Sequence, residues 1–229
     1  MSHRLPLYCF MRQSDKEEIP EVLFCDNHLW IASKPASLLT QPDETGGYSL
    51  EAFGKEWIKK EYHKPGNVFL HCIHRLDKPV SGLVLFARTS KALSRLNEQS
   101  RNQEIQRIYV AEVEGILPNK EGRLDHYLIH GDRKALLAKE GDKEAKHARL
   151  TYSVIRFLSH STLVSIELET GRYHQIRAQF SAIGHPVVGD GRYGAAPQER
   201  IRLHCAKLAF EHPITKEIVS IESPAPFAS

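Results

Sequence analysis

The chain has 229 residues, enough for one domain of moderate size with a real core. Apolar residues at 41% and charged residues at 26% exclude a disordered or fibrous chain. With 31 basic against 28 acidic residues the net charge is only +3, so composition alone does not mark a nucleic-acid binder.

Residues 1–20 are of mixed character and read as a peripheral arm ahead of one domain over 21–229. They lack the continuous apolar core of a secretory signal, and no run in the chain approaches the roughly 18 apolar residues that span a bilayer. Cys9, Cys25, Cys72 and Cys205 are scattered, which predicts free thiols in a reducing compartment rather than a disulfide framework. The expectation is a cytoplasmic protein without membrane contact.

From Val22 the pattern sharpens. "VLFCDNHLWIASKP" predicts two short strands around an Asp-Asn turn, closed by Pro35. "SLEAFGKEWIKKEY" predicts a helix capped by Ser49, with Leu50, Phe53, Trp57 and Ile58 at helical spacing. "GLVLFART" is apolar almost throughout and predicts a central strand buried on both faces. A second helix follows in "TSKALSRLNEQSRNQ", with Ser90 as its expected cap. "RIYVAEVEG" alternates, with Tyr109, Ala111 and Val113 on one face and Ile108 and Val110 on the other.

Residues 117–147 are polar and Gly-rich without a strong period and predict a long surface loop. Two strands near 150–157 and 162–169 come next. A short helix follows in "RYHQIRAQFSAIG", with Ile176, Phe180 and Ile183 on one face and Gly184 beyond its end. "RIRLHCAKLAFEHP" and "EIVSIESP" predict a closing hairpin. Strands and helices without a βαβ rhythm indicate an α+β fold with a mixed, mainly antiparallel central sheet, flanking helices and a catalytic cleft.

Three residues could carry chemistry. Asp77 precedes the buried strand and follows Arg75 by two positions. Locally it reads as a turn aspartate bonding its own backbone, or as a nucleophile or general base that needs a cationic partner to stay ionised. Arg177, three residues after His174 and on the short helix, is that partner or a snorkelling surface side chain. Tyr109 is a packing residue or a cleft aromatic. A metal site on His71, Cys72, His74, His204 and Cys205 is the rival, with a metal-dependent hydrolase built on His71, His74 and His204 as its form. Their spacing matches no zinc pattern, so no metal is expected. Neither a G-x-x-x-x-G-K nor a G-x-G-x-x-G phosphate loop occurs.

"HRLDKPVSGLVLFA", "RIYVAEVEG" and "GRYHQIRAQFSAIGHPVVGDGRYG", in this order, resemble the RluA family of RNA pseudouridine synthases. "VLFCDNHLWIASKPASLL" and "RLHCAKLAFEHP" resemble its opening and closing strands, so the likeness covers about residues 20–225. The resemblance implies a cofactor-free isomerase acting on structured rRNA or tRNA. Asp77 would be its catalytic aspartate, Arg177 the partner of Asp77, and Tyr109 an aromatic that stacks on the target base and assists proton removal. Arg75 would hold or replace the flipped base, with His74, His174 and Gln175 also at the substrate. A protein of this fold that binds RNA without turnover, such as an RNA chaperone, is the alternative.

Val80 and Leu150 stand where the family usually has Thr. Many relatives carry an S4-type RNA-binding domain, for which the first twenty residues leave no room. Substrate choice is therefore expected to rest on 117–147 and on basic positions such as Arg101, Arg107, Lys146 and Arg149.

Overall fold

The computed structural model describes residues 19–44 and 46–228, so nearly all of the expected arm lies outside the described residues. Eleven strands form one sheet: β1 (Glu21–Cys25), β2 (Leu29–Lys34), β3 (His71–Cys72), β4 (Ser81–Ala87), β5 (Gln106–Glu114), β6 (Glu121–His130), β7 (Ala135–Ala138), β8 (Lys146–Phe157), β9 (Ser161–Leu168), β10 (Leu203–Glu211) and β11 (Ile218–Glu222). The main path runs β1-β2-β4-β10-β5-β9-β8-β6-β7, with β11 on β10 and β3 on β4. All these ladders are antiparallel except β4 with β10. The mixed, mainly antiparallel sheet matches the sequence expectation.

The apolar run of β4 makes it the inner strand it was expected to be, with Gly82 through Ala87 all buried. One edge pairs along its length with β2; the other is shared, β10 meeting Ser81 and Gly82 while β3 meets Phe86 and Ala87. Gly82 has φ +112°, and a Cβ there would stand 2.4 Å from the Cys205 carbonyl oxygen. Only glycine permits both that conformation and that approach. Strands β4 and β5 are consecutive long strands, yet β10 lies between them.

Three α-helices are described: α1 (Leu50–Glu61), α2 (Ser90–Arg101) and α3 (Gln175–Ala182). Ser49 caps α1 as expected, its hydroxyl accepting from Ala52 N at 3.2 Å. The cap of α2 is Thr89, not Ser90: Thr89 is extended and accepts from Ala92 N, so Ser90 is already the first helical residue. None of these helices is long and apolar enough to cross a membrane.

The loop expected over 117–147 is replaced by the β6–β7 hairpin and the start of β8. The strand signal is weak because only Leu124 and Leu128 of β6 are buried, four residues apart, with His126 between them on the same face and Glu121, Arg123, Asp125 and Tyr127 on the other. Leu150, the departure on β8, is fully buried in the core.

Candidate active site

Asp77 stands in the turn that feeds β4, and that turn is fastened through its backbone. Val80 N donates to Asp77 O at 3.0 Å, and Ser37 N donates to Lys78 O at 2.8 Å. Thr40 engages Leu76 twice, donating to its carbonyl at 2.8 Å and accepting from its N–H at 3.1 Å. Lys34 is completely buried, and its Nζ donates to the carbonyls of Pro35, Leu38 and Lys78 at 3.0, 2.7 and 3.2 Å. These use the three protons of an ammonium. Burial drives the Lys34 pKa down to about 7, while the Asp77 charge opposes the shift.

Helix α3 supplies the opposite wall. Its first residue is preceded by His174 in the left-handed conformation at φ 51°, which swings that ring toward the site. Gln175 closes the approach: its Oε1 accepts from Thr170 Oγ1 and Arg172 N at 2.8 and 2.9 Å, and its Nε2 donates to Arg149 O at 3.0 Å. Arg177 is only 3% exposed, well inside the core edge where a snorkelling arginine would lie. Its Nε and Nη2 donate to the two oxygens of Asp190 at 2.6 and 2.9 Å, and its Nη1 donates to Asp77 Oδ2 at 2.8 Å. Burial works against this guanidinium, but Asp190 and Asp77 outweigh it and hold its pKa above the ordinary value.

Asp190 is the residue that sequence reasoning missed. It is 1% exposed, and its partner lies thirteen positions away. The available signal was an acid inside the otherwise apolar and Gly-rich stretch "PVVGDGRYG". A buried carboxylate there must be paired.

His174 Nε2 lies 3.4 Å from Asp77 Oδ2, and its Nδ1 lies 3.0 Å from the Tyr193 hydroxyl. Burial lowers the His174 pKa to about 4, with Asp77 opposing, so the ring is neutral at pH 7. Ala135 N donates to the Tyr193 oxygen at 2.7 Å. The phenol proton can reach Nδ1 or Ala135 O at 3.4 Å, and the Asp77 carboxylate beside Nε2 favours the ring proton on that nitrogen. Both protein contacts of Asp77 fall on Oδ2. Among the described residues none holds Oδ1, although the side chain is 24% exposed.

Tyr109 is buried on β5 beside Cys205, and burial raises its pKa well above that of an ordinary phenol. Arg75 is exposed and makes no hydrogen bond or ion pair with a described residue, which leaves it free to move. His74 does not open onto the cleft as a base contact would. It is 9% exposed, its Nε2 accepts from Leu85 N at 3.3 Å, and burial lowers its pKa to about 3. Gln175 is likewise enclosed by its own turn. Both act as struts in this structure, because their polar atoms are spent on, or sealed within, the protein.

The rival metal constellation does not assemble. His204 is held by Ser81 Oγ at 2.8 Å and Ser223 O at 3.1 Å, and among the described residues no three His, Cys, Asp or Glu converge as a metal requires. A hollow of about 520 Å³ lined by Glu104, Gln106, Phe210 and Ile218 shares no residue with the Asp77 cluster.

Comparison with known proteins agrees with this geometry. The sequence model described as RNA pseudouridylate synthase matches residues 28–182. An uncharacterized RNA pseudouridine synthase, YhcT, of Bacillus subtilis is 34% identical over 213 residues, covering 90% of this chain and 68% of its own. The dual-specificity RNA pseudouridine synthase RluA of Pasteurella multocida is also 34% identical over 213 residues, covering 90% of this chain and 94% of its own. Human RNA pseudouridylate synthase domain containing 4 shares the fold with a TM-score of 0.77 at 20% identity, over 90% of this chain and 89% of its own.

Proposed function

The chain belongs to the RNA pseudouridylate synthase family, and on that premise we propose that Asp77 is the carboxylate through which it isomerises chosen uridines of a structured ribosomal or transfer RNA in the cytoplasm. The protein is an RNA pseudouridine synthase; the reading without turnover is not favoured, since binding alone needs no buried Arg–Asp pair. Pseudouridine formation breaks the bond from ribose to the base nitrogen, turns the base and rejoins it through carbon. No electron is transferred and no group is lost.

One observation carries the assignment to Asp77: its Oδ2 is fixed by Arg177 while Oδ1 has no described partner. A carboxylate paired with a permanent cation, with one oxygen presented to the cleft, can engage the ribose of the target nucleotide. Arg177 is a positioning residue as well as a counter-charge, because Asp190 fixes its plane. A base inside an RNA stem cannot reach Asp77, so the nucleotide is flipped out, and exposed Arg75 fills the gap. Burial keeps the Tyr109 hydroxyl protonated, which supports a packing role against the base over proton removal. His174 donates toward Asp77, whereas His74 and Gln175 act through the backbone they hold.

The test maps pseudouridine in total tRNA and rRNA from cells expressing the wild type, Asp77→Ala or no protein. The expected result is loss of a discrete site in the last two. A site that persists with Asp77→Ala while depending on the gene would remove Asp77 from the chemistry.

A further inference from the structure

Arg107, on β5 two residues before Tyr109 and hence on the same face, is an unpaired cation. Its guanidinium makes no hydrogen bond or ion pair with any described residue, and its Nε is sealed from solvent without a partner. Nη1 and Nη2 lie against Gly171, each 3.0 Å from where a Cβ at that position would stand. The basic residue Arg149 behaves differently: it is neutralised by Asp125 at 3.1 Å and Glu169 at 3.3 Å.

No carboxylate among the described residues forms an ion pair with Arg107. Arg107 interacts electrostatically with His74, Tyr109 and Cys205. Burial keeps all three neutral at pH 7, the Cys205 thiol being pushed up to about 12. The position is also specific. His74 is three residues before Asp77, and Gly171 is three residues before His174, so Arg107 stands between the two segments that meet at the catalytic carboxylate.

We propose that Arg107 is a phosphate-binding residue, whose guanidinium contacts one backbone phosphate of the RNA beside the flipped nucleotide. This rests on the RNA-modifying reading above. A guanidinium donates strong, charge-assisted hydrogen bonds to phosphate oxygens, its neighbours His74, Tyr109 and Cys205 are neutral, and a phosphate supplies a negative charge. Held this way, the phosphate fixes the ribose to which it is attached relative to Asp77.

The experiment measures binding of unfractionated tRNA across a salt series for the wild type, Arg107→Gln and Arg107→Lys, with thermal melting of each. Arg107→Gln should bind more weakly and lose about 0.7–0.9 from the slope of log affinity against log salt, the share of one phosphate. Arg107→Lys should keep most of that slope. Arg107→Gln should melt no lower than the wild type, because a cation without a partner contributes nothing to the fold that glutamine would forfeit. Parallel salt lines for wild type and Arg107→Gln, whatever the melting temperature, would overturn the proposal. Pseudouridine assayed in the same mixtures keeps the two readings apart. Its absence with the wild type would count against the enzymatic reading and leave the salt comparison standing.

Discussion

The two walls of the site are held by different forces. The Asp77 turn is anchored through its backbone, by the hydroxyl of Thr40, the N–H of Ser37 and the ammonium of Lys34. The α3 wall is anchored through charge, with Arg177 locked between Asp190 and Asp77. Backbone anchoring fixes where the carboxylate stands almost independently of which side chain the turn carries. Charge anchoring fixes how that carboxylate is solvated and oriented, and it fails when either partner is neutralised. The first wall should therefore respond to substitutions in small steps and the second in one large one.

The largest effect should come from Asp190→Asn. It leaves Arg177 buried with half its compensation, at a cost of about 3–5 kcal/mol in urea unfolding. A guanidinium displaced by about 1 Å lowers kcat/KM by roughly a hundredfold. Full activity in Asp190→Asn would mean that Asp77 alone orients Arg177 and that the walls do not differ as described.

Acid sharpens the comparison, since each wall contains one neutral buried histidine. The folded pKa values of His74 and His174 are lowered to about 3 and about 4, below the ordinary 6.5. Between those values and 6.5 the unfolded chain binds more protons, so stability rises with pH and is lost as pH falls. Going from pH 6.5 to 5.5 should cost about 2 kcal/mol for the pair. Replacing His174 by Gln should remove about 1 kcal/mol of the pH dependence seen in urea titrations at the two pH values, His74 and the buried His204 keeping theirs. An unchanged pH slope would show that His174 charges freely in the folded state.

The smallest effect is expected at Thr40→Val, which deprives both the N–H and the C=O of Leu76 of their hydroxyl partner. Stability should fall by about 1–2 kcal/mol, and kcat/KM should follow only modestly. A loss of activity as large as that of Asp190→Asn would erase the distinction between the walls.

What the sequence revealed follows the same division. Strand β4 and helix α3 were legible because burial on one or both faces leaves a periodic trace in apolar residues, and Asp77 and Arg177 stood out through their motifs. The β6–β7 hairpin was not, because a strand that buries only Leu124 and Leu128 leaves almost no period. Asp190 went unassigned because no local rule couples an acid to an arginine in another element. His74 and Gln175 were expected at the substrate, for motif membership does not distinguish a side chain that touches a ligand from one that supports the backbone beneath it.

The place of β10 carries a consequence for the timing of assembly. Strands β4 and β5 border the same strand and not each other, and that strand begins at Leu203. Without β10 no strand joins the part of the sheet that carries β4 to the part that carries β5. The two halves join only when β10 takes its place beside Gly82 and makes one sheet of two.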